Sequence, residues 1–336
     1  MALCGSILEI FKSIFLPSFD WIQIEVSGLC KANCIYCPKT VWREKWEGKN
    51  LSLDTFISIL PYFKKTKLVY LQGWGEPLNN PNFFEMVRLA KAQGAMVGFT
   101  TNGVLIDEDM AEKIVVYGVD IIAFSLAGIE MNDALRKGNS LSQVLNAVER
   151  INRAKERLKK SYPKVHSAYM LLKSNEHELE RLPSFLSGLK ISQVVVSLLD
   201  FIPKEDLKEE CLAPKTIEEF NLFKSRAERV VEKAKTLGLK VVFNIPHPSF
   251  QRRICSENPV RSLFINSLGM VSPCVFTGIP ARNTYFLNFG NIQEEELKKI
   301  WKKREYEEFR KVHSSQSKPD VCKVCPKSRV VEVGWI

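Results

Sequence analysis

Trp21-Ile22-Gln23-Ile24-Glu25-Val26 runs directly into Ser27-Gly28-Leu29-Cys30-Lys31-Ala32-Asn33-Cys34-Ile35-Tyr36-Cys37-Pro38. The first stretch reads as an apolar strand and the second as a Cys-x3-Cys-x2-Cys loop. Three of the nine cysteines of the chain fall in that loop. Structural zinc is closed by four ligands, usually as two close pairs, yet the nearest histidine is the distant His166. Free cysteines also pack as small hydrophobes, but that reading leaves their crowding unexplained. Cysteine-held four-iron clusters normally take four thiolates. A triplet without a nearby fourth therefore points to an iron with an open position.

Outward from this loop, short β-like runs alternate with helical ones. Strands are expected at 21–26, 68–71, 96–100, 121–125, 165–172 and 194–198, and helices at 53–63, 83–93, 108–117, 141–160, 176–186 and 216–237. Such alternation implies a parallel sheet flanked by helices, and near-continuous apolar strands imply burial on both faces. Six units are too few for a closed eight-stranded barrel, so a partial barrel is the geometric option. Near residue 240 the texture changes, with Pro246, Pro248, Pro259, Pro273 and Pro280 punctuating the chain. There, 263–266 and 270–272 flank a Ser267-Leu268-Gly269 turn, and a helix at 294–311 leads to Cys322-Lys323-Val324-Cys325. The expected division is an amphipathic N-terminal helix over 1–20, a barrel over 21–240 and a small cysteine-bearing domain over 241–336.

Bulk properties bound the partners. The chain has 336 residues, 45% hydrophobic and 26% charged, which is ordinary for a globular protein. No apolar run approaches the ~20 residues of a membrane span, and because no basic n-region precedes an apolar core a secretory signal is not expected. An odd cysteine count with metal-ligand spacing argues for a reducing cytoplasm over a disulfide framework. The net charge of +10 reads first as a lysine-rich solvated surface. Anionic substrates, nucleic acid, an acidic protein partner or an anionic membrane surface are the other readings of that charge, and with lysines scattered and no arginine-rich tail the charge alone does not choose among them; nucleic acid is not the expected partner. Leu3, Cys4, Ile7, Leu8, Phe11, Ile14 and Phe15 fall at three- and four-residue spacings, as expected for one face of an N-terminal helix. That face caps the main domain or, as the sharper reading, rests on a membrane surface.

The triplet, with Tyr36 just before its last cysteine, resembles the signature of radical S-adenosylmethionine (SAM) enzymes. That resemblance implies a (β/α)6 partial TIM-like barrel of the α/β class. It further implies a cluster on Cys30, Cys34 and Cys37 whose fourth iron binds the amino and carboxylate groups of SAM. Reduction would then yield a 5′-deoxyadenosyl radical. The loops at the expected strand ends fit the same pattern. Gly73-Trp74-Gly75-Glu76-Pro77 resembles the family's Gly-Gly-Glu motif, although Trp74 departs from it. Thr101-Asn102-Gly103, Ser125 and Arg136 stand where further SAM contacts are expected. The implied SAM-binding set is Tyr36, Gly75, Glu76, Asn102, Ser125 and Arg136.

Cys255, Cys274, Cys322 and Cys325, taken alone, suit zinc or a [4Fe–4S] cluster equally. Their order, with Gly269 between the first two and Pro326 after the last, resembles the SPASM extension in its shortened twitch form. It implies an auxiliary cluster closed by all four thiolates and suited to electron transfer. Two [4Fe–4S] clusters, SAM and a low-potential donor of ferredoxin or flavodoxin type follow. The leading expectation is oxidation or cross-linking of a peptide or protein. The alternatives are a small molecule (a cofactor precursor, a sugar-like compound or a lipid) and, in another class, a non-catalytic zinc or iron–sulfur protein that binds nucleic acid. Cys211 is expected to be a structural thiol. His166 and Tyr169 are candidates for the barrel lumen, with a core position the blander reading for the histidine.

Overall fold

In the computed structural model, which describes residues 16–283, 287–315 and 317–334, eight parallel strands carry the fold. In chain order the strands are β1 (Phe19–Ile24), β2 (Asn33–Cys34), β3 (Thr66–Tyr70), β4 (Met96–Thr101), β5 (Ile121–Leu126), β6 (Arg136–Lys137), β7 (Lys164–Leu171), β8 (Gln193–Leu198), β9 (Lys240–Pro246), β10 (Ser262–Ile265), β11 (Val271–Ser272) and β12 (Val330–Gly334). Ten of them form one sheet in the order β11-β10-β1-β3-β4-β5-β7-β8-β9-β12. β1, β3, β4, β5, β7 and β8 are the six barrel strands expected from the sequence. Residues 1–15, which hold most of the expected N-terminal helix, lie outside the described part. No helix among the described residues is long and apolar enough to cross a membrane.

Strand alternation sorts the barrel into two faces. Ile22, Val69, Phe99, Phe124, Tyr169 and Val194 point outward into one core shared with the flanking helices. The opposite face carries half-buried polar groups: Gln23, Tyr70, Thr100, Ser125 and Ser197. The Tyr70 hydroxyl lies 2.9 Å from Thr100 Oγ1, which donates to Gln72 Oε1 at 3.1 Å. A period of two also corrects the pairing of His166 with Tyr169. Three residues apart in β7, they face opposite ways, and Tyr169 is buried in the outer core.

Three helices expected as single elements are broken, one of them the 294–311 stretch, which is Leu297–Trp301 followed by Arg304–His313. The 53–63 stretch is Leu53–Ile57 followed by Leu60–Phe63, with Pro61 in the first turn of the second. The 176–186 stretch is a 3-10 segment, Lys173–Arg181, followed by Leu182–Ser187 with Pro183. Proline lacks the N–H that would continue a preceding turn but suits the start of a new one. The two long helices, Leu141–Arg157 and Ile217–Thr236, open with capping boxes, Ser140 with Gln143 and Thr216 with Glu219. Each such cap is worth about 1 kcal/mol.

Residues beyond 240 occupy both edges of the sheet. β9 is a seventh parallel strand, hidden in the sequence by Pro246 and Pro248, and β12 pairs with it antiparallel. At the other edge β10 pairs parallel with β1, and the expected hairpin joins it to β11 through Phe264↔Ser272 and Ile265↔Val271. The cysteine-bearing C-terminal region is thus joined to the sheet at both edges.

Candidate active site

The triplet loop leaves β1 and folds over the C-terminal ends of the strands. Its shape is fixed by a small antiparallel ladder, β2 on β6, which sets Cys34 opposite Arg136. Cys37 then starts the short helix Pro38–Val41. Lys39 Nζ donates to the Cys30 carbonyl, Asn102 Nδ2 lies 3.7 Å from Cys30 Sγ, and Asn139 Nδ2 lies 4.0 Å from Cys34 Sγ. Burial pushes the Cys37 thiol up to about 12, and the neighbouring Cys34 adds to the rise. Without a bound cation, three thiolates here would repel one another at low dielectric.

Glycines bring the loop after β3 against this one. A Cβ on Gly75 would lie 2.2 Å from the Ser27 carbonyl oxygen, and one on Gly73 would lie 2.3 Å from Glu25 Cγ. Glu76, almost fully buried, does not aim its carboxylate at open space. Oε1 accepts from Thr101 Oγ1 at 2.8 Å and Oε2 from the Asn102 N–H at 2.7 Å. The side chain thus braces the Thr101-Asn102-Gly103 turn, while its backbone N–H bonds the Leu29 carbonyl.

Burial pushes the Glu76 carboxyl up to about 7 from an ordinary 4.5, against the hydrogen bonds from Asn102 and Thr101. The folded chain therefore holds this proton more tightly than the unfolded chain does. Stability falls as pH rises from about 4.5 to about 7 and levels off above. The span corresponds to about 3 kcal/mol. Urea unfolding at pH 5 and pH 7.5 should show wild type losing up to that amount relative to Glu76→Gln. Equal pH slopes in the two proteins would refute the assignment.

Arg136 is 6% exposed. Its Nη1 donates to the Tyr36 hydroxyl at 3.0 Å, whereas its Nε is buried with no partner. Burial opposes its charge, but Tyr36 and Cys34 hold its pKa above the ordinary value. A planar guanidinium with an unused buried N–H is a ready partner for a carboxylate. Ser125, at the end of β5, lines the same cavity, whose volume is about 330 Å³. All nine residues expected at the first cluster and SAM site border or brace this space.

The sequence reading missed Glu25. Fully buried at the end of β1, it accepts from the Trp74 N–H at 2.7 Å and, through its other oxygen, from the Ser267 N–H at 3.0 Å. One carboxylate thus ties the Gly73–Gly75 loop to the β10–β11 turn. Its sequence signal was a lone charge inside an apolar strand. Trp74, the departure from the family motif, donates from Nε1 to the Val275 carbonyl at 3.1 Å, so it joins barrel to C-terminal region. Cys211 lies outside the cavity, with Sγ 3.7 Å from the Leu199 carbonyl.

The other four cysteines come together as a second set. Burial raises Cys255, Cys274 and Cys322 to about 12, and each is also raised by at least one other member of the set. The turn Cys322–Cys325 closes with a Cys325 N–H to Cys322 carbonyl bond, and the Ser256 N–H bonds the Lys327 carbonyl. The eight cysteines among the described residues are free thiols.

Spacing separates a cluster from a single ion. Sulfurs around one tetrahedral zinc, with Zn–S bonds of about 2.3 Å, sit about 3.8 Å apart. Among the described residues, the only three metal-competent donors within 4.8 Å of one another are Glu130, His177 and Glu178. Glu178 already accepts from the backbone N–H groups of Glu130 and Met131. No three sulfurs of either cysteine set lie within 4.8 Å of one another, which leaves room for a polynuclear cluster.

Comparison with known proteins agrees with this geometry. Residues 24–186 match the radical SAM superfamily, and residues 255–326 match the SPASM iron–sulfur cluster-binding domain. The chain is a radical SAM enzyme with a SPASM-type domain. Radical SAM enzymes of this type work with SAM and [4Fe–4S] clusters. The chain is 26% identical over 308 residues to the tungsten-containing aldehyde ferredoxin oxidoreductase cofactor-modifying protein of Pyrococcus furiosus, covering 86% of this chain and 83% of that one. It is 21% identical over 315 residues to the PqqA peptide cyclase of Granulibacter bethesdensis, covering 93% and 80%. Its fold resembles that of Streptococcus suis SuiB bound to S-adenosylmethionine, with a TM-score of 0.68 at 15% identity over 95% of this chain and 73% of that one.

Proposed function

We propose that this radical SAM enzyme oxidatively modifies or cross-links a peptide or protein, with the cluster that engages SAM on Cys30, Cys34 and Cys37. Cys255, Cys274, Cys322 and Cys325 would hold an auxiliary [4Fe–4S] cluster. When bound, these groups supply reductive cleavage of SAM to a 5′-deoxyadenosyl radical, hydrogen abstraction from the substrate and an outlet for an electron. The chain's own residues bind and orient. Arg136 offers its fork to the SAM carboxylate, while Gly75 leaves room for the amino group beside its backbone. Tyr36, Asn102 and Ser125 line the rest of the SAM site, and Glu76 holds Asn102 in place.

One observation carries the reading: the cavity that contains the triplet is also walled by Val275, Phe276 and Lys327, next to two auxiliary cysteines. A substrate group enclosed there stands between both thiol sets. About 330 Å³ is at the small end for ligand pockets, so a peptide would present one side chain at a time. The near-full-length likeness to the cofactor-modifying protein favours a second reading, a small molecule or cofactor as substrate. A low-potential electron donor of ferredoxin or flavodoxin type and a reducing cytoplasm complete the proposal.

Anaerobic reconstitution tests it. About eight irons per chain are expected, as two four-iron clusters, together with dithionite-dependent release of 5′-deoxyadenosine from SAM. Zinc in place of iron and no SAM cleavage would overturn it. The Cys322→Ala/Cys325→Ala variant should fall to about four irons while still cleaving SAM. Loss of cleavage in that variant would show that the auxiliary set is needed for the first step.

A further inference from the structure

Asp200 presents an acceptor without a donor on the auxiliary side of the cavity. It lies just past β8, and its side chain is 7% exposed. Oδ2 pairs with Lys327 Nζ at 2.7 Å, while Oδ1 is buried and has no hydrogen-bond partner. A buried, unpaired carboxylate oxygen costs free energy unless a ligand satisfies it. Lys327 is itself fixed, 3.9 Å from Glu257 and 5.5 Å from the centre of the Phe276 ring. The Asp200 carboxylate therefore has little freedom to turn away.

The surroundings of Oδ1 suggest what it receives. Trp74, Phe201 and Phe276 form a triangle of rings with centroids 5.9 to 6.4 Å apart. Asp200, Lys327 and the three rings all line the cavity. Lys327, paired with Asp200, and Phe276 each stand two residues from an auxiliary cysteine, Cys325 and Cys274, whereas Arg136 stands opposite Cys34. The free oxygen thus belongs to the auxiliary-side wall rather than to the SAM contacts. Because Lys327 already balances the Asp200 charge, a neutral donor completes the site without burying a further ion.

We infer that Asp200 Oδ1 is the substrate anchor, accepting a hydrogen bond from a neutral N–H or O–H whose adjoining apolar group packs on Trp74, Phe201 and Phe276. An amide beside an apolar side chain is the fitting substrate class. This rests on the function proposed above.

The test compares two probes on the SAM-loaded enzyme with both clusters in place: 3-phenylpropanamide, which carries an N–H donor, and methyl 3-phenylpropanoate, which does not. Anaerobic calorimetry should show the amide binding at least about ten-fold tighter to wild type, the range for one buried hydrogen bond. In Asp200→Asn the Lys327 ammonium claims the amide oxygen and leaves an N–H facing the cavity, so the preference should fall below about three-fold. In Phe201→Ala both probes should weaken while their ratio holds. Equal binding of the two probes by wild type overturns the inference, even where a variant fails to fold. So does an Asp200→Asn enzyme that keeps the preference but loses SAM affinity, because the acceptor would then serve SAM. Failure of SAM cleavage in wild type would instead sink the proposed function, since the probe comparison reads binding alone.

Discussion

Cys34→Ala is expected to abolish 5′-deoxyadenosine formation, by at least about 1,000-fold, and to lower iron from about eight to about four per chain. Cys34 is buried and sits opposite Arg136 in the β2–β6 ladder. That ladder uses backbone groups, so the loop should keep its course when the thiol is lost. What disappears is one of three ligands to a cluster that has no fourth cysteine to recruit. The second set stands apart and should load normally, so the remaining irons report on it. Iron analysis, the spectrum of the reduced protein and chromatographic assay of 5′-deoxyadenosine read the outcome. Retention of about eight irons with full SAM cleavage would show that the triplet is not the site. Cys30→Ala and Cys37→Ala should behave alike, although Cys37 also begins the Pro38–Val41 helix and its loss should lower stability as well.

Much of this site was legible because metal and cofactor chemistry constrains residue type at short spacing. The Cys-x3-Cys-x2-Cys loop, Gly75-Glu76 and the terminal Cys-x2-Cys each carry a requirement that few other residues meet. The six barrel strands were legible through their apolar runs and the helices between them. What escaped were features set by long-range packing. β9 ends at a proline and in sequence looks like the start of an irregular region, yet its partners β8 and β12 supply its ladder. Glu25 looked like an ordinary charge in a strand until the fold brought Trp74 and Ser267 to its two oxygens. Asp200 and Lys327 are separated by most of the C-terminal half of the chain, and neither has a motif. Glu76 was legible by type but not by use: its backbone meets the triplet loop while its carboxylate braces Asn102.

Arg136→Met is expected to weaken SAM binding about 100-fold, equivalent to about 3 kcal/mol. The guanidinium spends Nη1 on the Tyr36 hydroxyl and leaves Nε buried and unpaired. An unpaired buried donor is tolerated where a ligand satisfies it, and a carboxylate that takes the fork gains two parallel charge-assisted bonds. Methionine fills similar volume but offers neither charge nor donor, and it strands the Tyr36 hydroxyl. Arg136→Lys separates charge from geometry. Lysine keeps a cation but not the planar fork, so a loss of about ten-fold is expected, between wild type and methionine. Tyr36→Phe removes only the phenol that steadies the guanidinium and should cost about three-fold or less. Equilibrium binding of SAM to the cluster-loaded proteins gives these ratios directly, and unchanged iron content in all three confirms that the cluster is not the cause. If Arg136→Met bound SAM within about three-fold of wild type, Arg136 would be a brace for Tyr36 and Cys34. The carboxylate would then have to find its partner elsewhere in the cavity, and Lys39, beside Cys30, would be the next residue to change.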